Sequence, residues 1–209
     1  MVDSSYKVPA LEKGKFHRTE LVIKKSRFIT SVARTKSVDE AKQFIDSICK
    51  EFSDARHNCF AYNADKPNSS GYAGCSDDGE PHGTAGQPML NVLLHSGVGQ
   101  ITVVVTRYFG GILLGTGGLV KAYQDSIKQA LDTLEIEDMV LTQEYKLVCD
   151  HKDVTLAQRC FSALAIKILS QDYTDKVTYT LDVPLSSVEQ FTAQLTKITQ
   201  GKALIEKID

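Results

Sequence analysis

Tryptophan is absent from the 209 residues, so no indole stacking platform contributes to any binding surface. No stretch approaches the roughly 18 consecutive apolar residues that a membrane-spanning helix needs. The opening MVDSSYKVPALEKG has no apolar centre of a secretory leader. A reducing cytoplasm is therefore the expected location, and no membrane partner is expected. Cysteine is sparse: five residues, an odd number, with no CxxC pair. That argues against a disulfide framework and a closed zinc knuckle, and Cys49, Cys149 and Cys160 are expected as buried thiols. The net charge is only −2, so no overall basic field announces nucleic acid. Also missing are a Walker A loop, a GxGxxG turn, a GxSxG elbow, an HExxH helix and a kinase signature.

What remains is an ordinary globular composition, 42% hydrophobic and 24% charged, long enough for two compact domains. The charge is uneven. Residues 1–36 hold nine Lys or Arg against Asp3, Glu12 and Glu20, whereas residues 136–209 hold eight basic and eleven acidic residues. A basic leading edge on an acidic body points to an anionic partner, or simply to a solvated surface.

Residues 1–17 read as a polar lead-in. Glu20–Lys24 and Arg27–Ala33 read as a hairpin turning at Lys25-Ser26. Ser37 with Glu40 three residues on opens a helix that runs to about Phe52. Asn58–Tyr62 and Tyr72–Ser76 read as short strands, and a helix from about Thr84 to His95 carries Pro88 in its first turn. Ile101–Thr106 is an unbroken β-branched run, expected as a central strand buried on both faces. A long helix follows from about Gly117 to Leu134. The charged Glu135–Asp138 marks a boundary between domains at 18–135 and 138–209. The second domain reads strand, helix, two strands, helix, strand, a split β-α-β-β-α-β unit. The fold class is therefore α+β in two domains.

Two segments of the first domain carry the candidate chemistry. Thr106–Leu119 feeds a strand through Gly110, Gly111, Gly115, Gly117 and Gly118 into a helix. Such a junction presents free backbone N–H groups and the positive end of a helix dipole, with Arg107, Tyr108 and Thr116 beside it. Its Ile112-Leu113-Leu114 centre is unlike a nucleotide cradle, and a packed structural turn is the alternative. In the second segment, Gly83-Thr84-Ala85-Gly86 opens another helix and is a second candidate anion site. Ser76, Asp77, Asp78, Glu80 and His82 precede it. Their oxygens suit a hard cation, but carboxylates in such a loop also serve turns. No metal or cofactor is assigned. Arg56 and His57 lead into the same region. His57, Cys59, Cys75 and His82 are a possible thiol–imidazole set, and Tyr62, Tyr72, Tyr108 and Phe109 are candidate stacking surfaces or core residues.

On three blocks the chain resembles the IMPACT/YigZ family, in its bacterial form. They are Arg56–Tyr62; Ser76–Pro81 with Gly83–Gly86 and Pro88; and Val105–Gly111 with Leu114–Leu119. The resemblance implies a first domain of the ribosomal protein S5 domain 2-like fold, with a left-handed crossover against the usual rule. It implies a ferredoxin-like second domain. This pair is similar to the last two domains of elongation factor G, which work on the ribosome. The resemblance also implies eukaryotic relatives that regulate translation through a partner that controls an initiation-factor kinase, with an additional N-terminal domain that is not expected in the bacterial form. The expectation is a binding module for RNA or the ribosome. A metal-dependent enzyme on a phosphorylated substrate and a protein–protein regulator of stress-dependent translation are the alternatives.

Overall fold

The computed structural model describes residues 4–208. The chain is a mixed α/β protein that divides into two compact units, one made of residues 6–139 and the other chiefly of residues from 140 onward. No helix among the described residues is long and apolar enough to cross a membrane.

The first unit is built on a five-stranded antiparallel sheet. Its strands are β2 (His17–Ile23), β3 (Ser26–Arg34), β4 (His57–Asn63), β5 (Ala73–Ser76) and β6 (Ile101–Tyr108), in the order β2-β3-β6-β4-β5. The β-branched run of β6 does lie at the centre, buried along all but its last residue. Because side chains alternate across a strand, Val103 and Val105 enter one core and Val104 another. The first core is roofed by α2 (Gly86–Leu94) and α3 (Thr116–Thr133); α1 (Val38–Glu51) covers the opposite face with Ile45 and Ile48. Ser37 caps α1 by accepting from the Glu40 amide at 3.2 Å, while Glu40 Oε2 reaches back to the Lys36 amide at 2.7 Å.

Three expectations are corrected. The hairpin turns at Lys24-Lys25, both with positive φ (45° and 65°), and Ser26 is the first, buried residue of β3. This is the geometry of a two-residue primed turn, which Asn-Gly announces and Lys-Lys does not. The polar lead-in contains a strand, β1 (Ser5–Pro9), whose Val8 is fully buried. Its partner is β7 (Ile136–Val140), in the stretch read as a charged break. The charges of β7 face outward onto cations, Asp138 to Lys7 at 2.7 Å and Glu137 to Arg34 at 2.5 Å.

The second unit runs β8 (Thr142–Cys149), α4 (Val154–Ala163), β9 (Lys167–Tyr173), β10 (Val177–Pro184), α5 (Val188–Ile198) and β11 (Leu204–Lys207). The sheet order is β11-β8-β10-β9, all antiparallel. Leu147, Tyr179, Leu181, Phe161 and Phe191 fill its own core. Strand β9 is an edge exposed along its whole length, and the register shift opposite Thr180/Leu181 leaves Leu169 without a partner.

Candidate functional site

The register of the first sheet sets His57 opposite Arg107, and Tyr108 opposite Arg27. The end of β6, the start of β4 and the tip of the β2–β3 hairpin therefore lie at one end of the sheet. There a pocket of about 350 Å3 is lined by Arg56, His57, Glu80, Pro81, Arg107, Phe109, Leu113, Leu114, Gly115, Thr116 and Leu119. Residues from both glycine-rich segments thus meet at one pocket, although most of its wall is apolar.

The two helix N-termini differ. That of α3 is open: Gly115 at the cap has a φ of 74°, and no side chain caps the helix. Thr116 and Gly117 are exposed beside the pocket. That of α2 is closed from within the chain. Asp77 Oδ1 accepts from the Ala85 and Gly86 amides at 3.0 and 2.8 Å, and Oδ2 accepts from Gly83 at 2.8 Å. Burial opposes ionisation of Asp77, but the amides of Gly83, Gly86 and Ala85 together outweigh it and hold the carboxyl below its ordinary value. The expected anion site at Gly83–Gly86 is corrected on this ground: its donors already have a carboxylate. Close packing is the other demand on Gly86, where a Cβ would lie 2.7 Å from the Ser76 carbonyl carbon. Thr84 is turned inward, its hydroxyl donating to the Pro81 carbonyl at 2.6 Å.

The acidic segment does not gather its oxygens on one point. Asp78 Oδ2 accepts from the Asn58 amide at 2.6 Å, and the Asp78 amide donates to Ser76 Oγ at 3.2 Å. Glu80 turns into the core and His82 projects fully into solvent. Among the described residues no three His, Cys, Asp or Glu side chains are grouped to hold a metal ion.

Arg107 is the floor of the pocket. Its NH1 donates to Glu80 Oε1 at 2.6 Å, with the two side chains only 8% and 3% exposed. Its Nε is buried without a hydrogen-bond partner among the described residues, and its guanidinium lies over the rings of Phe28 and Phe109. The Tyr123 hydroxyl donates to the same Glu80 oxygen at 2.8 Å, and Cys59 Sγ lies 3.3 Å from that hydroxyl and 2.9 Å from the Asp77 carbonyl oxygen. Burial pushes the Cys59 thiol far above its ordinary range, and Tyr123 likewise. Cys59 is thus a protonated core thiol and a poor nucleophile. The Cys59–Tyr123–Glu80–Arg107 chain was not legible in the motifs. A hint lay in Tyr123 on the inner face of a helix, since a buried tyrosine hydroxyl needs a partner.

The remaining candidates divide. His57 Nδ1 donates to the Asp78 carbonyl at 2.8 Å, so that nitrogen carries the proton, and the ring lines the pocket. Tyr108 does not line it; its hydroxyl donates to Asp54 at 2.7 Å. Phe109 does, and is 46% exposed, whereas Tyr62 stacks on Phe60 and Tyr72 is away from the pocket lining. Gly110 serves packing: a Cβ there would fall 2.0 Å from the Lys25 carbonyl carbon. Gly111 has a φ of 83°, and Gly118 packs on Leu114.

A two-domain mixed α/β protein in which a helix N-terminus without a side-chain cap opens on an amphipathic pocket is the class that fold and site define. Residues 24–131 match the Impact N-terminal domain and residues 147–202 a domain of unknown function, DUF1949. The chain belongs to the IMPACT family. It is 46% identical over 187 residues to the IMPACT family member YigZ of Escherichia coli K12, covering 90% of this chain and 92% of that one. A solved structure titled as a hypothetical protein superposes with a TM-score of 0.72 at 42% identity, covering 100% of this chain and 99% of the other. The Protein IMPACT-A of Xenopus tropicalis is 32% identical over 102 residues, covering 47% of this chain and 31% of its own.

Proposed function

We propose that the chain is a translation-associated binding protein of the cytoplasm that engages RNA on the ribosome through the Arg107 pocket. The observation that carries this reading is the uncapped N-terminus of α3 opening on a pocket whose floor is a guanidinium with a partnerless Nε. Backbone N–H groups, a helix dipole and Arg56, which has no ion pair among the described residues, suit a phosphate; Phe109 and Leu113 suit the face of a base. The antiparallel β-α-β-β-α-β order of the second unit supports a ferredoxin-like assignment, and the family resemblance supports an S5 domain 2-like first unit and the link to translation. Fold kinship alone would not carry a function.

The test is Thr116→Glu. A carboxylate at the first position of α3 suits the helix dipole but occupies the anion site. The expected outcome is an unchanged or higher Tm with weaker retention on ribosomes in a sedimentation assay. Unchanged retention would overturn the reading. One observation favours a second reading, a protein partner: Ile112 and Leu113 stand 42% and 83% exposed beside the pocket. Ribosome association that survives nuclease treatment of exposed RNA would favour that partner instead.

A further inference from the structure

The primed turn accounts for the backbone of the hairpin tip, but not for lysine at both of its positions, Lys24 and Lys25. Both residues adopt positive φ, which a lysine takes reluctantly and for which Asn-Gly is the default pair. Backbone strain of this kind persists where surrounding structure or function requires it. The two side chains are exposed and have no ion pair among the described residues. Their neighbours are differently placed. Arg27 is held by Glu20 at 2.7 Å and lies over the Tyr108 ring, and Arg107 is held by Glu80. Of the cations at this end of the sheet, Lys24, Lys25 and Arg56 are the ones left unpaired among the described residues.

The tip also touches the pocket's own wall. The Gly110 amide donates to Ser26 Oγ at 3.1 Å, and the Gly110 α-carbon packs directly on the Lys25 carbonyl. Gly110 belongs to the loop whose Phe109, Leu113 and Leu114 line the pocket. From the hairpin tip to the start of β4 the end of the sheet spans about two strand spacings, on the order of 10 Å. Along that line run, in order, the exposed Lys24 and Lys25, an exposed aromatic and aliphatic loop, and the pocket with Arg56 and the α3 amides.

We infer that Lys24 and Lys25 are phosphate contacts for a single-stranded RNA that leaves the pocket, crosses the Phe109–Leu114 loop with its bases against that apolar surface, and passes over the hairpin tip. The inference rests on the pocket being an RNA site. Charge complementarity and sequence-tolerant stacking make the track insensitive to base identity.

The experiment titrates a fluorescent 20-nucleotide oligouridylate against the full chain at several salt concentrations, for the parent, for Thr116→Glu and for Lys24→Asn/Lys25→Gly. The last pair installs the residues the turn prefers, so Tm should hold or rise and misfolding cannot mimic the result. Two lost single-strand phosphate contacts should flatten the slope of log affinity against log salt by about 1.4 and weaken binding about tenfold or more near 0.1 M salt. A parent that does not bind overturns both the RNA reading and the track. A slope unchanged in the lysine pair, with Thr116→Glu impaired, overturns the track alone.

Discussion

Arg107 and Glu80 form a pair that is costly to break and cheap to replace. Removing one partner of a buried ion pair strands the other charge, which costs about 3–5 kcal/mol, whereas replacing both is often close to neutral. Arg107→Ala should therefore lower stability by about that amount in urea unfolding, because Glu80 would be left buried beside Tyr123. Arg107→Met combined with Glu80→Gln should recover most of the loss, since the amide oxygen of the glutamine still accepts the Tyr123 hydroxyl. Binding measured on the single variant would confuse unfolding with a lost contact. The sequence displayed both residues but not their pairing: they stand 27 positions apart on different elements, and Glu80 read as one more carboxylate of a turn. Gly110 was legible as special but not for its reason, which is the backbone of a hairpin far away in the chain.

At the scale of elements, the long segments declared themselves through local chemistry. The Ser37–Glu40 cap, Pro88 in a first turn and the β-branched run of β6 each act within a few residues. The closing of α2 does not: its cap comes from Asp77, nine residues before Gly86. Because Asp77 titrates below its ordinary value in the fold, its contribution is present above the unfolded pKa of about 3.9 and is lost as pH falls through the folded value. Asp77→Asn should thus be less stable than the parent at pH 7 by about 1.5–3 kcal/mol, the range for hydrogen bonds to a charged group. Urea unfolding across pH should show the gap narrowing below pH about 4. A gap that stayed constant into acid would mean the carboxylate charge is not what closes the helix.

At the scale of the whole molecule, each unit is built on cores of its own, two in the first and one in the second. The first unit nevertheless depends on the start of the chain. Lys7 O accepts from Gly99, Ala10 donates to Glu135 O, and Val8 is fully buried. Burying a valine contributes about 1.5–3 kcal/mol. Deleting residues 1–10 should accordingly lower the calorimetric transition of the first unit by several degrees, consistent with a loss of about 2–4 kcal/mol. An unchanged transition would show β1 to be an ornament. That strand escaped sequence reading because Tyr6 and Val8 alternate over only five residues, with a proline at the end.

Strand β9 bears on how the protein lives in a crowded cell. A fully exposed edge with Ile168, Leu169 and Tyr173 on it is an invitation to cross-β growth. The extra residue at Leu169 breaks the regular repeat that such growth would copy, and a lysine stands at its entrance. One misaligned residue thus interrupts the even row of main-chain donors and acceptors that an incoming strand would need to copy.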